Sequence, residues 1–274
     1  MNSNFFSSIE WGKWILIIFS VSISIILLFI PLIMIFISAL SAGLHMVVLN
    51  LLNTDMIHAV LLTVIVALIV IPVNVVFGIF MAWLITRFNF FGKQFLLAFL
   101  SISVAVSPVV VGLLYLLCYS NGSIIGDWLD SYNIQIMFSW IGIVLVTICI
   151  TCPFVANELI PVMINQGNQE DEAAVLLGAS GWKMFWYVTF PNIRWALLCG
   201  IIITNARAMG EFGASSIVSG LIRGETYTLP LYIELLYQDY NIVGAFIAAS
   251  LLALVSIIML FIKNYFKYYY ENNM

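Results

Sequence analysis

The chain has 274 residues, of which 64% are hydrophobic and 8% charged, with a mean hydropathy of +1.13. A water-facing domain carries about 25% charged residues, so a soluble globular domain is excluded and the solvent of this chain is lipid. The net charge of −4 is spread along the chain without a basic patch, which excludes nucleic acid as a partner.

Charge-poor runs predict an all-α membrane protein with about six transmembrane helices, at residues 14–40, 57–85, 95–119, 136–155, 195–222 and 242–262. Each is near or above the ~20 apolar residues that a helical crossing needs. Pro31, Pro72 and Pro108 fall inside these runs, where neighbouring helices can satisfy freed carbonyls. The fifth run is interrupted only by Arg207 and Glu211. The apolar stretch before Ser38-Ala39-Leu40-Ser41-Ala42 is longer than the roughly 7–15 residues of a signal h-region, so an uncleaved first helix is expected.

The cations set the orientation. With the N-terminus cytoplasmic, Lys13, Arg87, Lys93, Lys183, Arg194, Lys263 and Lys267 lie inside and Arg223 outside, while Arg207 sits within a span. The connections at 41–56, 120–135 and 221–241 are then external, the second carrying Asn121-Gly122-Ser123 turn chemistry. Cys149 and Cys152 form a C-x-x-C inside the fourth run, with no second pair and neither histidine near in sequence. Buried apolar cysteines account for them better than a metal or redox site.

The one long inner connection carries the most information. Asn165-Gln166-Gly167-Asn168-Gln169 predicts a turn. Glu170, Asp171 and Glu172 place acids at a helix start, where they favour the macrodipole. Residues 173–177 are good helix formers, Gly178 ends or bends that helix, and Gly181 adds a second flexible point. Residues 182–190 predict an aromatic-rich helical piece, and Pro191 suits the start of the fifth span. From the residues alone this is an interfacial helix with Trp182, Trp186 and Tyr187 at headgroup level, or a docking element; one stretch can be both.

The spacing of Glu172-Ala173-Ala174, Gly178 and Val188-Thr189-Phe190-Pro191 resembles the EAA loop of importer-type ABC permeases. Val188 and Phe190 stand where that family usually has Ile and Leu. The whole of 169–182, together with Pro191-Asn192-Ile193-Arg194-Trp195, resembles sulfate-type permeases. Asn205-Ala206-Arg207-Ala208-Met209-Gly210-Glu211-Phe212-Gly213 is similar to a signature of sulfate, thiosulfate and molybdate permeases. Arg223-Gly224-Glu225-Thr226-Tyr227-Thr228-Leu229-Pro230-Leu231 narrows the resemblance to the W-type permeases of bacterial sulfate/thiosulfate importers, over roughly 57–263, and Ser107-Pro108-Val109-Val110-Val111-Gly112-Leu113-Leu114-Tyr115 agrees with it.

The resemblance implies a type I ABC importer permease fold in the bacterial inner membrane. It implies an N-terminal segment at 1–56, a transmembrane core at 57–263 with the EAA loop at 169–191, and a short cytoplasmic tail at 264–274. The implied partners are a T-type sister permease, two copies of an ABC ATPase, and a periplasmic or tethered sulfate/thiosulfate-binding protein. No G-x-x-x-x-G-K-[ST] is present, so ATP is expected on the partner, with no cofactor, metal or catalytic residue in this chain. Glu172, Ala173, Ala174, Gly178 and Pro191 are the expected ATPase-coupling residues. Ala173 and Ala174 would let the helix seat closely in a cleft, and Glu172 either caps its own helix or pairs with a basic ATPase residue.

The expected path or gate comprises Ser107, Arg207, Glu211, Gly213, Ser215 and Ser216. Arg207 and Glu211 are one turn apart, so they can meet, and a charge at bilayer depth costs at least ~2.5 kcal/mol without a partner. Either Arg207 helps an oxyanion cross, or the pair fixes helix packing or the gate. Small residues such as Gly213 and Ser215 line a polar path or permit close packing. Molybdate or another oxyanion is the alternative cargo. An ion-coupled secondary carrier is a poorer fit, because only Arg207 and Glu211 lie at depth and no inverted repeat is visible.

Overall fold

The computed structural model describes residues 3–120 and 122–271, with side chains for 13–102, 104–120 and 122–266. Asn121 of the expected external turn and the side chain of Lys267 lie outside that set. The described elements are all helical: α1 (Ser3–Ser24), a π turn (Ile25–Phe29), α2 (Ile30–Leu40), α3 (Leu44–Leu51), α4 (Thr54–Arg87), α5 (Lys93–Ala105), α6 (Pro108–Tyr119) and α7 (Ile124–Asp130). Then come α8 (Trp140–Gln166), α9 (Gln169–Leu176), α10 (Gly181–Met184), a second π turn (Phe185–Thr189), α11 (Phe190–Met209), α12 (Ser215–Val218), α13 (Leu229–Gln238) and α14 (Ile242–Glu271). Among them, 5 stretches are long and apolar enough to cross a membrane: Lys13–Leu40, Thr54–Arg87, Trp140–Gln166, Gly181–Met209 and Ile242–Phe266.

The centre is a packing of α4, α8 and α11. A Cβ on Gly78 of α4 would stand 2.5 Å from Val155 Cβ of α8, and one on Gly200 of α11 would stand 3.2 Å from Val155 Cα. Glycines on two helices thus admit the third at one point, the small-residue packing that replaces hydrophobic drive in lipid. Four residues before Gly78, the fully buried Asn74 donates to Thr151 Oγ1 at 2.6 Å and pins α4 to α8. At one end of the bundle Ile85, Leu159, Met163 and Ile193 close the core. At the other, Met56, Leu229, Leu231 and Tyr232 do so, and the Leu229 N–H donates to Thr63 Oγ1 at 2.8 Å.

Several sequence expectations are corrected. The run at 95–119 is not one helix. Val106 and Ser107 are extended (ψ 136° and 133°), Ser107 because a proline pushes the residue before it out of the α region, and Pro108 begins α6 instead of lying within a span. The two pieces have 13 and 12 residues, each short of a full crossing. The fourth span lies later than 136–155, at Trp140–Gln166, and holds Pro153 and Pro161 internally. The fifth does not run from 195 to 222: it begins at Gly181 and ends at Met209. The connections expected at 41–56, 120–135 and 221–241 contain α3, α7 and α13, and α14 continues past 262 to Glu271.

Pro191 therefore does not open the fifth span; it lies inside a continuous one. The π turn explains how. A proline ring clashes with the carbonyl four residues back and gives no N–H. Here the Phe190 N–H bonds to the Phe185 carbonyl, an i→i−5 bond that widens the turn directly before the proline. Span one repeats the device, with the Ile30 N–H on the Ile25 carbonyl and Pro31 next in line. In the fourth span, the Cys152 thiol donates to the Cys149 carbonyl at 3.3 Å, as in an ordinary helix.

Candidate functional site

The acids 170–172 do open a short helix. Its start is fixed by Gly167 (φ +70°) and Asn168, and its end by Gly178 (φ +85°), a left-handed residue that glycine adopts without a Cβ penalty. The Ala179 N–H bonds to the Ala174 carbonyl at 3.0 Å and the Gly178 N–H to the Val175 carbonyl at 2.9 Å, the Schellman pairing that closes a helix C-terminus. A Cβ on Gly178 would meet nothing within 4 Å, so in this chain the glycine answers a backbone demand and not crowding.

One side of α9 is held and the other is bare. Asp171 is the residue of α9 that is buried. Its Oδ2 lies 2.7 Å from Arg87 Nε at the end of α4; the alignment misses hydrogen-bond geometry, so the attraction is that of paired charges. Its Oδ1 accepts from Thr189 Oγ1 at 3.1 Å. Arg87 Nη1 donates to the Gly167 carbonyl at 2.6 Å and to Asn168 Oδ1 at 2.7 Å. Asn192 Nδ2 donates to Glu170. Glu172, Ala173 and Val175 are exposed, and Leu176 and Leu177 are 88% and 89% exposed. No side-chain cap hydrogen bond is made at the start of α9. A hollow of about 470 Å³ opens between Arg87, Asp171, Glu172, Leu176, Trp83 and Met184.

Beside it, Trp83, Phe185, Trp186 and Phe190 interlock with ring centroids 5.1–6.2 Å apart, fastening the second π turn to α4. Trp182 and Tyr187 are 72% and 81% exposed, as an interfacial position requires. Arg87, Asp171 and Thr189 are not among the coupling or path residues expected from the sequence. Arg87 and Asp171 each had a sufficient local explanation, one as an inside charge and one as a helix-start acid.

The expected path residues gather around the end of α11. Glu211 is not on that helix: Gly210 caps it, and Glu211 begins a non-helical turn. The pair with Arg207 forms nonetheless, at 3.2 Å, with Glu211 1% and Arg207 37% exposed at the side chain. Glu211 Oε1 also accepts the Ala214 N–H at 3.1 Å. That turn lies on the start of α6, next to Ser107: a Cβ on Gly213 would stand 3.2 Å from Pro108 Cβ, and one on Gly112 would stand 2.9 Å from the Ala214 carbonyl oxygen. Ser216 Oγ donates to the Gly213 carbonyl at 2.9 Å, and Ser215 is 1% exposed with its hydroxyl unpartnered among the described residues.

Comparison with known proteins fits this architecture. The model of the binding-protein-dependent transport system inner membrane component matches residues 74–267. The chain is 62% identical over 264 residues to the sulfate transport system permease protein CysW of Escherichia coli strain K12, covering 96% of this chain and 91% of that one. It is 32% identical to the CysT permease of the same strain, covering 77% and 76%. A crystal structure of a bacterial alginate ABC transporter, in complex with its alginate pentasaccharide-bound periplasmic protein, superposes with a TM-score of 0.77 at 17% identity, covering 94% of both chains, which shows the shared type I importer fold. The chain belongs to the family of binding-protein-dependent transport system inner membrane components.

Proposed function

We propose that this chain is the permease subunit of an ATP-driven importer that moves sulfate, and thiosulfate with it, across the bacterial inner membrane. The observation that carries the coupling is the lever α9: an 8-residue helix, tied to the bundle on its Asp171 side and bare on its Glu172–Leu177 side. The anion reading draws on the likeness to sulfate-system permeases. Likeness to two distinct permeases of one strain supports a heterodimer with a T-type sister. Two ATPase copies beneath and a periplasmic or tethered binding protein complete the assembly. ATP remains on the ATPase.

The lever end carries Arg87, Lys93, Lys183 and Arg194, and Phe266 of α14 packs on Trp195 there, so Lys263 is near the same end. This charge bias supports a cytoplasmic lever. In the working cycle the ATPase dimer closes, α9 moves with it, and the spans rock to open the path outward. Arg207 and the turn at 210–216 lie in that path.

The test is reconstitution. The chain, its T-type sister and the ATPase are co-purified, placed in vesicles with ATP inside, and given labelled sulfate with and without binding protein. Sulfate uptake that needs both ATP and binding protein supports the reading, and thiosulfate should compete. Molybdate uptake in preference to sulfate would move the cargo to the alternative. Uptake driven by a proton or sodium gradient without ATP would overturn the reading. Reporters fused after Gly126 and after Gly167 should read outside and inside; the same side for both would break the orientation.

A further inference from the structure

We propose that Arg87, Asp171 and Thr189 form a transmission clasp that makes the lever a rigid continuation of the spans, and that coupling of ATP hydrolysis to anion movement depends on it. The inference rests on the reading of α9 as the ATPase-docking lever. An 8-residue helix has little stability of its own. Val175, Leu176 and Leu177 are 55%, 88% and 89% exposed, so the lever's hold on the bundle is concentrated in its first turn, where Asp171 is buried.

That turn is built as a joint. The Asp171 carboxylate faces two different spans at once, with the Arg87 guanidinium at the last turn of α4 on one oxygen and the Thr189 hydroxyl in the π turn of span five on the other. The same guanidinium holds Gly167 and Asn168, the link from α8. The three helices that converge at Val155 are thus gathered again at one buried charge pair, with side chains 11% and 9% exposed. Asn192 on Glu170 adds a parallel tie from α11 to the lever.

Chemistry explains why a clasp needs these groups. An apolar contact at this point would let the lever slide, whereas a guanidinium fork set in place by Nη1 hydrogen bonds to a carbonyl and an amide oxygen holds its charge beside the carboxylate. Lysine at position 87 would keep the charge and lose the fork. The widened π turn also brings Thr189, 1% exposed, into reach of the lever just before Pro191. The proline of the loop motif then has a second consequence: the turn that accommodates it presents the hydroxyl that the clasp uses.

The test compares complexes carrying Asp171→Asn, Arg87→Lys, Thr189→Val and Asp171→Glu in vesicles. Two quantities are read: ATPase retained on purification, and sulfate moved per ATP hydrolysed. The expected result is retained ATPase with a ratio about tenfold lower for Asp171→Asn, partial recovery in Asp171→Glu, and losses of about fivefold in Arg87→Lys and twofold in Thr189→Val. An unchanged ratio in assembled Asp171→Asn complexes would overturn the clasp. So would loss of the ATPase from Asp171→Asn while Arg87→Lys and Thr189→Val assemble and keep the unaltered ratio, because the pair would then serve folding alone. If the unaltered chain neither holds the ATPase nor moves sulfate with ATP, the functional reading falls and the clasp with it.

Discussion

Among the described residues, two arginine–carboxylate pairs have an enclosed acid, and they are sheltered in different ways. In the pair at the lever, both side chains are enclosed and the arginine is engaged by Asp171, Gly167 and Asn168. In the pair at the end of α11, the acid is enclosed at 1% exposure and anchored a second time by the Ala214 N–H, while Arg207 is 37% exposed. Among the described residues Arg207 has no partner but Glu211. An arginine carries five donors, so Arg207 keeps most of its capacity. The first pair is a closed joint. The second fixes a turn through its acid and leaves its cation partly exposed.

The largest effect is expected where an enclosed charge loses its partner. Arg207→Met strands a carboxylate that is 1% exposed and should cost about 3–5 kcal/mol, by analogy with buried pairs in soluble proteins. It is read as loss of detergent-solubilised complex and a lower Tm. Glu211→Gln should cost less, about 1–3 kcal/mol, because the amide oxygen still accepts from Ala214 and the arginine left behind is partly exposed. Equal losses would contradict the asymmetry. Arg207→Met with Glu211→Leu should assemble better than Arg207→Met alone. If that double variant also transports, the pair is structural. If it hydrolyses ATP under binding-protein control and moves no anion, Arg207 serves passage.

At the lever, Gly178→Ala and Gly178→Leu meet the same left-handed backbone, worth about 1–2 kcal/mol. Both should insert normally, with Gly178→Leu losing ATP-driven uptake. Since nothing in this chain stands near a Cβ there, retained uptake in Gly178→Ala beside its loss in Gly178→Leu would place the ATPase against that glycine. Unchanged transport in Gly178→Leu would contradict the socket. The smallest effect belongs to a neutral polar tie. Asn74→Leu removes the bond to Thr151 and also an amide oxygen unpartnered among the described residues. About 0.6 kcal/mol of stability should be lost, with uptake unchanged.

What the sequence disclosed follows from range. The lever was legible because acids, alanines and Gly178 act within one helix, each through a local preference. Hydropathy located α4 and α14 because a crossing needs only length and apolarity. It could not show that residues 95–119 break, since apolarity carries no dihedral information. Pro108 was present as a signal, yet Pro72 and Pro153 sit inside helices without ending them. The fifth span was misplaced at both ends for related reasons. A π turn carried the helix through Pro191, and Gly210 ended it while apolar residues continued. The joint at Arg87 was out of reach, because its acceptors lie some 80 residues away in sequence.

The central claim is that an ATPase seats on the bare face of α9. A photo-reactive side chain at position 176, where Leu176 is 88% exposed, tests it most directly in the assembled transporter in vesicles. The account predicts a covalent product between this chain and the ATPase subunit, with its yield changing when ATP is added. A matched probe at Tyr240, 89% exposed on the opposite end, should give none. An actively transporting complex that yields no ATPase product from position 176 would contradict the account.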